Sequence, residues 1–180
     1  MIYHSIDEIL AANEAALERF QPAVSGLSAA QESFRPAADR WSIAEIVEHV
    51  DLVNRNFLRL VTRLHQQALE QGAGPAQPIA QTQLLAVSDP NRERRVEAPD
   101  RVRPQGGQGV ADSLRGMQET LEGFRKIQPQ LEAIDLTGPT FAHRLGELNA
   151  CQWMVLLGEH QDRHLDQIAE VKSSPGYPSH

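Results

Sequence analysis

The chain is poor in cysteine, in aromatic residues and in long apolar runs. Cys151 is the single cysteine among 180 residues, which excludes an internal disulfide and fits a reducing, cytoplasmic setting. Such a residue reads first as a small buried hydrophobe and only second as a reactive thiol. The longest apolar stretches stop far short of the roughly 20 residues that span a bilayer, so no membrane partner is expected. The N-terminus, MIYHSIDEIL, has no basic start, no apolar run and no cleavage-like site, and no signal peptide is expected. Basic charge is in the minority: 17 Lys and Arg stand against 24 Asp and Glu, for a net −7. That balance argues against a nucleic-acid or anionic-membrane partner. A local basic cluster (Arg92, Arg94, Arg95, Arg101, Arg103) is interrupted by Glu93, Glu97 and Asp100 and reads as a solvated loop.

What is present is amphipathic helix. At 41% apolar and 23% charged residues, the composition suits one globular domain over 1–180. The first helix is expected over 5–25, with Ser5 and Glu8 as a capping box and Ile6, Ile9, Leu10, Leu17, Phe20 and Val24 at helical spacing. The second is expected over 42–70, capped by Ser42 and Glu45, with Trp41 stapled onto Ile46. The last spans 149–172, with Asn149 and Gln152 at its cap and Leu148 set against Trp153. A further helix over 110–128 is carried by Val110, Leu114, Met117, Leu121 and Phe124, and weakened by Gly116 and Gly123.

Residues 71–109 are rich in Gly and Pro and read as a long irregular loop with at most a short helix around Gln81–Val87. A loop this long is usually functional or mobile, and it is a candidate lid or pocket wall. Residues 129–148 read as a second irregular stretch and 173–180 as a flexible tail. No alternating β segment and no internal repeat is visible. The expected fold class is all-α: a four-helix bundle with a long crossover between the second and third helices.

Of seven histidines, three share a pattern. His160 and His164 lie four residues apart, about 40° around one helix, and interrupt the apolar stripe Leu157–His160–His164–Ile168. Two inward imidazoles need partners, and a shared cation is one partner for both. His49 lies on the buried side of the second helix beside Ile46, Val50 and Val53. Its depth from the start of that helix matches the depth of His164 from the end of the last one. If the two helices are antiparallel neighbours, the three converge and leave an open coordination position. The zincin pattern fails because Gln161 stands where its glutamate is needed. A di-iron pattern fails because paired Glu-x-x-His motifs are absent. His143 reads as a loop residue with a structural hydrogen bond, His65 as a helix-end residue, and His4 and His180 as solvated.

Three segments in this order resemble the DinB-like superfamily of metal-binding four-helix bundles. They are Trp41-Ser42-Ile43-Ala44-Glu45 followed by His49, then His143-x-Leu145-Gly146-Glu147-Leu148, then His160-x-x-Arg163-His164-x-x-Gln167-Ile168. The likeness covers essentially the whole chain, with Arg144 departing from the proline more often found there. It implies an up-down-down-up bundle, often a homodimer, and one divalent ion, most often zinc or nickel, held by His49, His160 and His164. It further implies a small-molecule substrate, with a low-molecular-weight thiol as co-substrate for S-transferase or isomerase members, while other members are described as metal-dependent hydrolases. A non-catalytic metal or small-ligand module, or a stress-linked interaction protein, is the competing reading. Three supporting residues follow from position. Arg163 is a candidate partner for Glu45 or Glu48, Glu45 is equally the capping partner of Ser42, and Gln167 lies one turn beyond His164, within reach of a ligand or substrate. No acid, base or nucleophile is singled out as catalytic.

Overall fold

The computed structural model describes residues 2–80 and 97–179. The expected short helix around Gln81–Val87 and the basic residues Arg92, Arg94 and Arg95 lie outside these. Among the described residues there are five α-helices: α1 (Ile6–Val24), α2 (Ala29–Ser33), α3 (Ile43–Glu70), α4 (Val110–Leu131) and α5 (Ala150–Ser173). A 3₁₀ turn, Asp100–Val102, precedes α4, and a two-stranded hairpin, β1 (Thr140–His143) and β2 (Gly146–Asn149), precedes α5.

Three of the long helices begin at a side-chain cap, while α4 starts after Gly109 without one. Ser42 and Glu45 form a reciprocal capping box on α3, and Asn149 and Gln152 form another on α5. At α1 only half of the expected box is present. Ser5 accepts the Glu8 amide, but the Glu8 carboxylate takes the amide of His4, one residue before the cap. The end of α3 is a Schellman turn: Gly72 adopts φ +73, Ala73 N–H bonds Ala68 O and Gly72 N–H bonds Leu69 O.

The four long helices bury one core, in which Ile9, Phe20, Ile46, Val50, Val61, Met117, Phe124 and Leu157 lose essentially all solvent contact. α3 packs against α4 and α5, and α1 packs against the same two, so α1 and α3 lie across the bundle from each other. Asn13 Nδ2 bonds Met154 O and Arg19 pairs with Asp162 between α1 and α5. Arg125 of α4 reaches Glu14 and Asp7 of α1 at 2.6 Å each. The glycines that weaken α4 as a helix are contact points: a Cβ at Gly116 would strike the Asp51 and Arg55 side chains of α3, and one at Gly123 would lie 2.6 Å from Leu58 Cδ2.

Two expectations need correction. The irregular stretch over 129–148 contains helix and strand. α4 runs through Pro129 to Leu131, because a proline in the last turn forfeits only one helical bond while Leu131 is buried. The all-α class gives way to a mostly helical chain with a small sheet. β1 and β2 pair antiparallel, Thr140 opposite Asn149 and His143 opposite Gly146, around a two-residue turn at 144–145. Their periodicity was invisible because β1 has no buried face: Thr140, Phe141 and Ala142 are all exposed. After α5 the chain folds back on α2, with Tyr177 edge-on to Phe34 at 5.6 Å and Gln31 Nε2 bonded to Pro178 O.

Candidate metal centre

The contacts between α3 and α5 run in opposite order along the two helices: Phe57 meets Trp153, while His49, earlier on α3, meets His164, later on α5. This places His49 level with the His160–His164 turn. The imidazole centroids lie 5.2 Å (His49–His160), 4.9 Å (His49–His164) and 4.4 Å (His160–His164) apart. One nitrogen from each ring falls within 4.8 Å of the other two.

Hydrogen bonds decide which nitrogens face inward. His49 Nδ1 lies 2.7 Å from the Val102 carbonyl, which only accepts, so Nδ1 carries the proton and Nε2 keeps its lone pair. His164 Nδ1 lies 2.8 Å from Gln167 Oε1, with the same consequence. His164 Nε2 is 3.2 Å from His160 Nε2, while His160 Nδ1 is buried without a hydrogen-bond partner. Two imidazole nitrogens bound tetrahedrally to one ion at about 2.0–2.1 Å would sit about 3.3 Å apart. The observed spacing fits such an ion, as it also fits an N–H···N hydrogen bond between the two rings, and an ion on His160 Nε2 leaves the buried Nδ1 without a partner.

Electrostatics keep the trio neutral. Burial lowers the pKa of His49, which the Val102 hydrogen bond partly opposes. Burial, then the neighbouring His164 and His49, holds His160 well below its ordinary value. His164 is lowered to about 3 by burial and then by His49. Neutral imidazoles are the form that binds metal.

The surroundings are aromatic on one side and charged on the other. Trp41, expected only as a helix staple, has its ring 4.9 Å from that of His49. His143, at the end of β1, accepts the Leu145 amide at 3.3 Å and lies edge-on to Trp153 at 5.2 Å. Trp153 in turn donates to Leu148 O and meets Phe57. Glu45 takes its capping role and also pairs with Arg35. Glu48 accepts the backbone amides of Gln105 and Gly106 at 3.0 and 2.9 Å. The Arg163 charge adds to the lowering of the His160 and His164 pKa values, after burial and the neighbouring histidines. His65 approaches the Gln130 carbonyl at 3.2 Å, away from the site.

Sequence reading missed the Val102 carbonyl and the anchoring role of Glu48. A backbone acceptor leaves no mark in side-chain spacing. Glu48 and Asp51 were detectable only as charges flanking an apolar stripe, and both prove buried.

A family model described as the DinB superfamily matches residues 12–168. The chain belongs to the DinB superfamily. It is also 27% identical over 173 residues to a Bacillus subtilis (strain 168) protein named uncharacterized protein YuaE, covering 89% of this chain and 94% of that one. No solved structure matches the chain significantly. None of the helices among the described residues is long and apolar enough to cross a membrane.

Proposed function

We propose that this DinB-superfamily chain holds one divalent ion, zinc or nickel, at His49, His160 and His164, and uses it as a transferase for a low-molecular-weight thiol. The observation that carries the ion site is the tautomer lock, and the preference for thiol transfer comes from the superfamily resemblance. Val102 O and Gln167 Oε1 occupy the Nδ1 protons of His49 and His164, so their Nε2 lone pairs and His160 are left for one shared partner. Three neutral donors leave the +2 charge of the ion uncompensated, and it would supply the Lewis acidity that favours a thiolate or hydroxide at neutral pH. The residues themselves bind, orient and exclude water: Trp41 covers His49, and Phe57 lies 6.4 Å from His160. A hydrolase is the second reading, favoured by the same donor set.

The four long helices are read as up-down-down-up. Asn13 with Met154 and Arg19 with Asp162 ascend together, which supports parallel α1 and α5. Asp51 beside Gly116 and Leu58 beside Gly123 do the same for α3 and α4.

Metal analysis of protein purified without a nickel column tests the first step, with about one ion per chain expected. No ion in the wild type, and unchanged properties in His160→Ala, would sink the reading. With an ion present, a panel of glutathione, mycothiol and bacillithiol against a general electrophile separates the chemistries. Turnover lost in His49→Ala supports transfer, and no turnover with any thiol turns the reading to hydrolysis or binding.

A further inference from the structure

The strap that precedes α4 is fastened to one turn of α3. Glu48 receives Gln105 N–H on Oε1 and Gly106 N–H on Oε2, His49 donates to Val102 O, and Asp51 Oδ2 accepts from Gln108 Nε2. Glu48 is only 6% exposed and Asp51 fully buried. Burying a carboxylate is costly unless its oxygens are paired, and two backbone amides offset that cost at Glu48. Gly106 supplies the left-handed turn, φ +74, on which the two consecutive amides converge on the carboxylate. The Val102 side chain is buried in the core, so the strap has an apolar anchor as well as polar ones.

Resting on the three-histidine reading above, we propose that Glu48 is a positioning residue for that centre. Through the strap it holds the Val102 carbonyl against His49 Nδ1, so that ion binding and strap docking reinforce one another. The hydrogen bond from His49 to Val102 joins the strap to the trio. Glu48 is outside the group of side chains close enough to share an ion, and both its oxygens face the strap. Its route to the centre runs through the strap and His49. An ion drawing on His49 Nε2 makes Nδ1–H a better donor and tightens the bond to Val102 O. Reciprocity then requires a docked strap to raise affinity for the ion by the same factor.

The test uses the full chain and zinc chloride. Zinc affinity is measured by competition with a chromophoric chelator, and amide exchange at Gln105 and Gly106 is followed with and without zinc. Wild type is expected to bind zinc and to exchange more slowly at both amides when loaded. Glu48→Gln replaces one acceptor oxygen by a donor facing an N–H. It is expected to weaken zinc binding by about ten- to a hundredfold, as loss of an outer-shell partner does, and to abolish the zinc dependence of exchange. If Glu48→Gln does not fold, Gly106→Ala carries the test, because it strains the exposed strap and leaves α3 intact; a smaller loss in the same direction is expected. Wild-type zinc affinity in the variant, with zinc-dependent exchange retained, overturns the proposal while leaving the centre in place. Failure of the wild type to bind zinc, and to bind nickel when nickel chloride takes its place, overturns the centre itself, and the proposal with it.

Discussion

The two ends of the bundle bury ionisable groups to opposite chemical effect. At one end, where α3 begins and α5 nears its close, burial lowers the pKa values of His49, His160 and His164. At the other, where α1 and α5 begin, a cavity of about 210 Å³ is walled by Ile6, Ile79, Leu131, Ile134 and Leu136 beside Cys151. There burial, and next the charge of Asp135, raises the thiol pKa to about 11. Desolvation favours the neutral form in both places. For imidazole the neutral form is the metal donor; for a thiol it is the inert form. Burial thus quiets the thiol at one end and keeps three imidazoles in their metal-binding form at the other.

The sharpest way to break this contrast is to remove a donor at each end. His164→Ala should weaken zinc binding at least about a hundredfold, since it takes a direct ligand where even outer-shell losses cost ten- to a hundredfold. Cys151→Ala should leave affinity within about twofold, a window set by its place outside the ligand shell. Isothermal titration of both variants decides. Equal losses would end the assignment of chemistry to one pole.

Stability sharpens the comparison next. Gly116 lies at the histidine end, where a Cβ meets the Asp51–Arg55 ion pair; Gly123 lies farther along α4, where it meets only the end of half-buried Leu58. Gly116→Ala should destabilise by about 1–3 kcal/mol through overpacking. Gly123→Ala should stay within about 1 kcal/mol of wild type, because Leu58 can turn aside and alanine gains helix propensity. Urea unfolding measures both, and a larger loss at Gly123 would contradict the packing argument.

Acid should separate the ends as well. The folded His164 pKa is about 3 and its ordinary value is 6.5. Between these, the unfolded chain binds more protons than the folded one, so metal-free protein loses stability as pH falls below 6.5. Asp7 and Glu14, both held low by Arg125, have ordinary values of 3.8 and 4.5, so their share is lost mainly at more acid pH. Chemical denaturation of chelator-treated protein from pH 7 to 5 should show declining stability, with a shallower decline in His164→Ala. A flat wild-type profile would mean the imidazoles titrate normally.

The readability of the sequence follows the same division. The trio was legible because His160 and His164 interrupt an apolar stripe at i,i+4 spacing and His49 matches their depth, all features of side-chain periodicity. The long helices were legible from caps such as Ser42–Glu45 and Asn149–Gln152. What holds His49 in its tautomer was not, because Val102 offers a backbone carbonyl from an irregular segment. The Thr140–His143 strand was hidden by its lack of a buried face, and the tail of α4 by Pro129, which ends most helices but costs one bond in a last turn. Gly116 and Gly123 read as weaknesses until their neighbours on α3 explained them.

The smallest expected effect concerns Cys151 itself. With a pKa of about 11, only roughly one thiol in a thousand is ionised at pH 8, and the thiolate is the attacking form. Iodoacetamide should label the folded chain at least about tenfold more slowly than the same chain in urea, where the pKa returns toward about 8.5. Zinc should not change the folded rate, because the thiol lines the cavity at the far end from the trio. Mass spectrometry at timed points reads both rates. Rapid labelling of the folded chain would show that burial does not silence this thiol, and protection by zinc would show that the two ends are coupled.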